Sequence, residues 1–355
     1  MKNFIKYILL IFNIIIASLL LLSYISLRIP PDKFWIFAVA GLMYPWILGL
    51  NLVFIVAWLL VKSKYALVSV LVVLAGWNVM NRYVQLSGKT TEEESFRVLS
   101  YNVGNFRGPD GKSSRKLADQ VKSFLKDTKP DIICLQEVRL RTNSVFNLAA
   151  TMKELPWIKH YQYARISSTN GSVTMTRFPI VKMDEIRFEN SGNIAIATDI
   201  AVDRDTFRIF NVHLQSYWID PDKYSIIESP GITTEEDLRE ARELGSKYRT
   251  AVILRAEQAR LISEKILESP HPVIVCGDFN DTPSSYTYQK VRGPLKDAFV
   301  QSGSGIGNTY IGKLPSFRID YILHSKAFGS YSFQTGDVAY SDHHPIYCDL
   351  IKIRD

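Results

Sequence analysis

Cysteine is scarce. The 355-residue chain has three, Cys134, Cys276 and Cys348, each inside an apolar run (DIICLQ, VIVCGD, IYCDL). An odd count without local pairing excludes a disulfide framework, and the spacing does not resemble a zinc site. Buried, inert thiols are expected. Acid is nearly missing from the N-terminal part: of 35 Asp and Glu, only Asp32 falls in residues 1–89. Eight of the 42 Lys and Arg lie there (Lys2, Lys6, Arg28, Lys33, Lys62, Lys64, Arg82 and Lys89), which leaves 34 residues of each sign in 90–355. The formal net charge of +7 therefore belongs entirely to the N-terminal part. A neutral remainder lacks the basic excess expected of a protein that tracks a phosphate backbone. The placement of the charge points to a membrane surface instead. No internal repeat or low-complexity tract is evident.

What the N-terminal part has is apolar length. Residues 7–27, 34–61 and 65–81 carry no charge. About 20 apolar residues span a bilayer as a helix, so three transmembrane helices are predicted, the third a short one. A cleaved signal peptide fits the first stretch poorly, because SYISLR offers no small-x-small cleavage site. Lys2, Lys6, Lys62 and Lys64 would lie on one side of the membrane, and Arg28, Lys33, Arg82 and Lys89 on the other. The first helix usually dominates, which puts the N-terminus in the cytoplasm and the bulk of the chain outside it. The expected organisation is a multi-pass membrane region over 1–81, a polar linker over 82–95 (RYVQLSGKTTEEES) and one large domain over 96–355.

That domain reads as α/β. FRVLSYNVGNF starts with a strand, and SRKLADQVKSFLKDTKP places Leu117, Val121, Phe124 and Leu125 on one helical face before Pro130. DIICLQEV reads as a buried strand, and further short strands follow, two of them joined into a hairpin by the VDRD turn at 202–205. Residues 216–248 form a long polar connection, which in a compact domain tends to be functional or disordered. Its Tyr217, Trp218 and Tyr224 could dip into a membrane interface. The helix YRTAVILRAEQARLISEKIL then leads to the strand PVIVCGDFN. Many strands with few helices between them imply a four-layer, two-sheet sandwich with outer helices.

Two short runs carry chemistry. GDFNDTP (277–283) sets Asp278 and Asn280 two apart on an extended segment, so both side chains can face one site. SDHHP (341–345) sets Asp342 beside His343. Carboxylates, an amide and an imidazole suit a hard divalent cation and a phosphate, with groups left over to activate water. Hydrolysis of a phosphate ester is the natural reading. Further pieces lie at the ends of apolar runs: Asn102 in SYNVGNF, Glu137 in PDIICLQEV with Arg139 two residues on, His213 in NVHLQS and Asp320 in RIDYIL.

In this order the motifs resemble the endonuclease/exonuclease/phosphatase superfamily over about residues 96–353. Seven motifs in sequence make the resemblance specific, although each alone is weak. The resemblance implies Mg²⁺, or Mn²⁺ in its place, held by Glu137, with Asn102 orienting that carboxylate or supplying an oxygen, and Asp342 either binding the metal or orienting His213. It implies that Asp278 orients or deprotonates water and that Asn280 donates to the phosphate. His343 would be donor or base with its tautomer fixed by Asp320, and His213 a phosphate donor or general acid. Arg139 has a salt-bridge reading and a substrate-contact reading. His160, His271 and His344 lack motifs and read as surface or packing residues. Departures exist: ISSTNGSVTMTRFPIV lacks the second catalytic Glu of the pancreatic deoxyribonuclease branch, and DTPSSYTY lacks the Arg of the inositol phosphatases. The expectation is a membrane-anchored metal-dependent phosphoesterase acting on a phosphodiester or phosphomonoester, with a lipid head group favoured over nucleic acid. An inactive membrane scaffold would have lost one of Glu137, Asp278, Asn280 or His343, and all are present.

Overall fold

The computed structural model describes residues 2–108, 112–139, 145–166, 170–217, 234–312 and 317–353. Two six-stranded sheets face each other. One contains β1 (Phe96–Asn102), β2 (Ile132–Arg139), β3 (His160–Arg165), β4 (Asn170–Thr176), β11 (Phe328–Thr335) and β12 (Ile346–Lys352), in the order β11-β12-β1-β2-β4-β3. The other contains β5 (Ile180–Arg187), β6 (Ile194–Val202), β7 (Asp205–His213), β8 (Val273–Asp278), β9 (Lys296–Asp297) and β10 (Asp320–His324), in the order β5-β6-β7-β8-β10-β9. The expected hairpin is present, with Val202 paired to Asp205.

Each sheet has one parallel pair, β1 with β2 and β7 with β8. A parallel pair needs a crossover, and a helix supplies it in both cases: Arg115–Thr128 in the first sheet and Glu235–Leu267 in the second. The helix Arg115–Thr128 buries Val121 and Leu125 against Leu99 and Ile133 as its spacing predicted, with Ala118 buried beside them and Leu117 and Phe124 only partly covered. The long helix packs Ala259, Ile262 and Ile266 on Phe210 and Val275. The layer between the sheets holds Val98, Ile132, Ile209, Ile274 and the three free cysteines' neighbourhood of Cys134, Cys276 and Cys348. Removing such apolar side chains from water stabilises the fold by about 1.5–3 kcal/mol each. The four layers are therefore helix, sheet, sheet, helix.

Two details correct the sequence reading here. The long helix begins at Glu235 and not at Tyr248, so much of the supposed connection is helical. Its start has a physical signal: Thr234 and Asp237 form a reciprocal capping box, with Glu235, Glu236 and Asp237 in the first turn. Tyr217 is turned inward, stacked on Tyr248 with its hydroxyl accepting from Arg255, while Trp218 and Tyr224 lie outside the described residues.

Gly277 has φ +145°, and a Cβ there would sit 1.9 Å from the Val212 carbonyl oxygen. Only glycine lets β8 lie against β7 at this point, with His213 opposite Asp278 one residue on. Gly277→Ala is expected to cost about 4 kcal/mol or more, read as the loss of a cooperative thermal transition at ordinary temperature.

The N-terminal part forms helices α1 (Lys2–Ile25), α2 (Pro31–Phe34), α3 (Ile36–Leu42), α4 (Tyr44–Leu60), α5 (Ala66–Ala75) and α6 (Trp77–Met80). Three full spans are not found among the described residues. One helix, Phe4–Ile25, is long and apolar enough to cross a membrane. The second stretch is bent by 59° between α3 and α4, where Pro45 starts a new helix, and the third breaks after ten residues at Gly76. The segment read as a linker is also no loose tether: Tyr83 is buried and Gln85 pairs with Gly305.

Candidate active site

The carboxyl ends of the two parallel pairs meet above the inter-sheet core, and the predicted residues gather there. A buried amide pair fixes the two sheets beneath them. Gln136 Nε2 donates to Asn211 Oδ1 at 2.8 Å, and Asn211 Nδ2 donates to the Val173 carbonyl at 2.9 Å. Asn211 lies two residues before His213 and Gln136 one before Glu137, so this contact sets the spacing of the residues above it.

Asn102, at the end of β1, donates to Asp278 Oδ2 at 2.9 Å and to Glu137 Oε1 at 3.4 Å. Its own oxygen accepts from the Gly104 N–H at 3.0 Å, so it serves the two carboxylates as a donor. Glu137 sits at an irregularity in the β2–β4 pairing with φ +52°, a left-handed conformation that costs a non-glycine residue of order 1–3 kcal/mol. That conformation turns its carboxylate into the site. Asn105, also left-handed at φ +57°, donates to Glu137 Oε2 at 2.8 Å. Sequence reading missed Asn105, although it stands in the same SYNVGNF run as Asn102.

Asp278 is deeply buried. It accepts from the Asn280 backbone N–H at 2.8 Å and from Asn280 Nδ2 at 3.1 Å. Asn280, with φ +53°, also donates to the Leu214 carbonyl at 3.0 Å. His213 Nε2 lies 3.6 Å from Glu137 Oε1 and 3.8 Å from Asp278 Oδ2. His343 Nδ1 is 2.8 Å from Asp320 Oδ2, and its Nε2 is 3.7 Å from Asp278 Oδ2. The Tyr310 ring packs edge-on against His343 at 5.5 Å. Asp342 is exposed at the mouth and accepts from the Ser341 hydroxyl at 3.1 Å, beside Gly104. Arg139 donates to the Ser113 hydroxyl at 2.9 Å, and that hydroxyl bonds the Asn105 carbonyl, which puts Arg139 behind Asn105. His344 Nδ1 lies 2.9 Å from the Val338 carbonyl, a packing contact.

Arg255 was also missed. Fully buried in the long helix, it donates to the Gln215 carbonyl at 2.8 Å and pairs with Asp281 at 3.2 Å. It thus ties the loop after His213 to the loop after Asn280. An arginine on the apolar face of AVILRAEQA was the available signal.

Burial pushes the Asp278 carboxyl up to about 6, with His343 pulling the other way and Asp320 adding to the rise. Burial and the nearby Asp342 likewise raise Glu137. For His343 burial alone would lower the pKa, but the Asp320 and Asp278 carboxylates outweigh it and hold the ring well above its ordinary value. Burial lowers His213. Two histidines of opposite tendency thus flank one carboxylate poised near neutrality, as acid–base sites arrange them.

The donor set fits a divalent cation. Glu137, Asp278 and Asp320 converge, and their closest donors are amides and an imidazole, while Asp342 at the mouth takes a serine hydroxyl. Asp320 Oδ1 and His213 Nε2 are buried with no hydrogen-bond partner. Ligand atoms of Asp278, Asp320 and His343 lie within 4.8 Å of one another. Within that trio Asp320 Oδ2 is taken by His343 Nδ1, while Asp320 Oδ1 is left open. Glu137, whose side chain is 30 % exposed, keeps an open carboxylate edge for an ion.

A sandwich with this cluster at its strand ends defines a hydrolase of phosphoric esters. Residues 99–343 match the model of the Endonuclease/Exonuclease/phosphatase family. The chain belongs to that family, whose members are metal-dependent phosphoesterases and nucleases. Residues 6–83 match a domain of unknown function, DUF8431. A search of curated proteins gives no match. Among solved structures, TDP2 of D. rerio complexed with single strand DNA product superposes with a TM-score of 0.53 at 16% identity, covering 73% of this chain and all (100%) of that one. The human Nocturnin catalytic domain with bound sulfate anion gives 0.52 at 17% identity, covering 73% and 95%. An endonuclease/exonuclease/phosphatase from Beutenbergia cavernae gives 0.52 at 17%, covering 73% and 72%. At these identities the likeness concerns the fold.

Proposed function

We propose that this protein is a membrane-associated phosphoesterase that hydrolyses a phosphodiester of a lipid head group by attack of water. The observation that carries the reading is where the apolar helices sit. Trp46 of α4 packs edge-on against Phe317 at 5.5 Å, next to the strand end that carries Asp320. The Ser26 hydroxyl, just beyond α1, donates to the Ser284 carbonyl at 2.9 Å, four residues after Asn280. The catalytic loops therefore stand at the end of α1, at the depth of a head group if α1 crosses a bilayer.

The helices are built for lipid contact. Only 22% of the hydrophobic window of α1 is buried, and Phe4, Ile11, Phe12, Val53, Leu60 and Leu71 face outward. Their polar residues point inward: Asn13 donates to Ser69 at 2.6 Å, Ser69 to Asn51 at 2.9 Å, and Trp58 to Asn13 at 2.9 Å. Apolar outside with hydrogen-bonded amides inside reverses the pattern of a water-soluble bundle. Both ends are basic, with Lys6 (over Tyr65 at 5.3 Å) and the Lys62–Lys64 turn far from the site and Arg28, Lys33 and Arg82 near it. The first helix therefore decides, and Lys2 and Lys6 precede it at the far end. That end suits the cytoplasmic surface, which would place the catalytic loops outside the cytoplasm. A reporter fused to the C-terminus and active only in the cytoplasm would refute this orientation.

In the chemistry, Asp278 deprotonates the attacking water. His343, protonated and oriented by Asp320, donates from Nε2 to the phosphate with His213 as the second donor, and Asn280, whose two amide hydrogens go to the Leu214 carbonyl and Asp278, holds the base. Glu137, held by Asn102 and Asn105, is the residue that would hold Mg²⁺ or Mn²⁺, with Asp342 at the mouth. The ion, when bound, supplies charge neutralisation for the phosphate oxygens. Arg139 supports the Asn105 loop. The sign of the pH dependence follows. The base works only when ionised, so kcat/KM should fall as pH drops through about 6. It should also fall at high pH, once His343 loses its proton.

Surface dilution tests the membrane reading. With phospholipid in mixed micelles, turnover should fall as detergent dilutes the lipid at constant bulk concentration. A rate that follows bulk concentration alone would remove the lipid proposal. The nucleic-acid reading has one observation in its favour, the DNA product in the D. rerio TDP2 structure.

A further inference from the structure

We propose that Arg82 is a positioning residue for the catalytic loops. With Ser26, Gly41 and Tyr83 it fixes the segments that carry Asn280 and Asp320, which makes the N-terminal helical unit a working part of the active site and more than an anchor. The inference rests on the proposed roles of Asn280 and Asp320.

Arg82 reaches both loops. Its Nη1 donates to the Pro283 carbonyl at 3.0 Å, and its Nη2 donates to Gln289 Oε1 at 2.9 Å. Its carbonyl accepts from Arg318 Nη2 at 2.8 Å. Pro283 follows Asn280 by three residues, and Arg318 precedes Asp320 by two. Arg318 is itself locked in a buried pair with Asp297 at 2.8 Å. The two strands so held are neighbours, with Asp320 directly opposite Asp278. One residue beyond Pro283, the contacts are as dense. The Ser26 hydroxyl donates to the Ser284 carbonyl, the Ser284 hydroxyl donates to the Gly41 carbonyl at 2.7 Å, and the Tyr83 hydroxyl bonds Ser284 Oγ. There is no slack: a Cβ on Gly41 would lie 2.7 Å from the Ser284 carbonyl oxygen.

The loop needs this support. Asn280 holds a left-handed conformation that persists only when its surroundings impose it. Its amide is shared between the Leu214 carbonyl and Asp278, so a small slip of 281–284 would move the residue that holds the base. Arg255 grips the same loop from the other side through Asp281. The membrane-side contacts and the long helix thus act as two jaws on one catalytic segment.

The test uses the full chain in detergent or bilayer, with Arg82→Ala, Arg82→Lys, Gly41→Val and the control Gly49→Val. A Cβ at Gly49 would meet nothing within 4 Å. Two readouts are taken: hydrogen exchange of the backbone amides, and steady-state hydrolysis of bis(p-nitrophenyl) phosphate with Mg²⁺. Arg82→Ala and Gly41→Val are expected to speed exchange about tenfold over 279–285, with β3 and β4 unchanged and 317–321, which Arg82 holds through its backbone carbonyl, changing less. They should lower kcat by about 10–100-fold with KM nearly constant, the size of effect that a displacement of about 1 Å produces. Arg82→Lys should recover part of both, and Gly49→Val should match the unmodified chain. Unchanged exchange over 279–285 would overturn the proposal. So would exchange rising uniformly across the sandwich, or faster loop exchange with unchanged kcat. Should the unmodified chain hydrolyse nothing, the functional reading fails and the exchange result alone decides whether Arg82 holds the loops.

Discussion

Asp278→Asn is expected to lower kcat by about 10²–10⁴-fold, the range for a lost acid–base group. The folded state should barely notice. Replacement removes a buried charge that burial and Asp320 both disfavour, as the raised pKa records. It also sets an amide N–H₂ where Oδ2 now accepts from Asn102 at 2.9 Å and Asn280 at 3.1 Å. The gain and the loss oppose each other, so the midpoint of thermal unfolding should move by only a few degrees, about the shift that 1 kcal/mol produces in a chain of this size. The acid limb of the pH profile near 6 should disappear from any residual rate. His343→Ala should lose two or more orders of magnitude by the same criterion. Full turnover in either variant would remove these residues from the chemistry.

Glu137→Gln should act through the ion. The concentration of Mg²⁺ giving half the maximal rate is expected to rise by about 10–100-fold or more, since even an outer partner of a metal site is worth that much. The backbone should tolerate the change, because the left-handed φ of +52° is set by the irregular β2–β4 pairing and Gln keeps an oxygen for Asn102 or Asn105. Titration of activity with Mg²⁺ and with Mn²⁺ separates this from a loss of fold. An unchanged ion requirement would show that Glu137 does not hold the metal.

Much of this site could be read from residue order because its members end apolar strands, and strand ends are fixed by hydrophobic runs. Asp278 follows PVIVCG and His213 follows RIFNV, so their meeting requires only that β7 and β8 be neighbours. What escaped the reading depends on three-dimensional closure. Asn105 supports Glu137 because a left-handed turn folds it back over β2, and no periodicity announces that. Arg255 looked like one charge in an ordinary helix until its guanidinium was found between two loops. The start of the long helix is hidden because its first turns are polar and exposed, and only the Thr234–Asp237 cap marks them. The count of membrane spans failed for a different reason. Hydropathy measures apolar length, whereas the chain at α3 and α4 bends by 59° and α5 stops after ten residues. Length in sequence is not length in one helix.

The most direct measurement compares phospholipid vesicles with duplex DNA as substrates for the full chain, with Mg²⁺, at two salt concentrations and with Asp278→Asn beside the unmodified protein. Binding that neutralises several phosphates weakens steeply with salt, with a log–log slope of about −0.9 per phosphate on duplex DNA. Residues 90–355 hold 34 basic and 34 acidic side chains, too balanced for that behaviour. The expected result is lipid phosphodiester turnover that is abolished by Asp278→Asn, with weak DNA binding of shallow salt dependence. Tight, steeply salt-sensitive DNA binding with rapid nicking, and no lipid turnover, would contradict it.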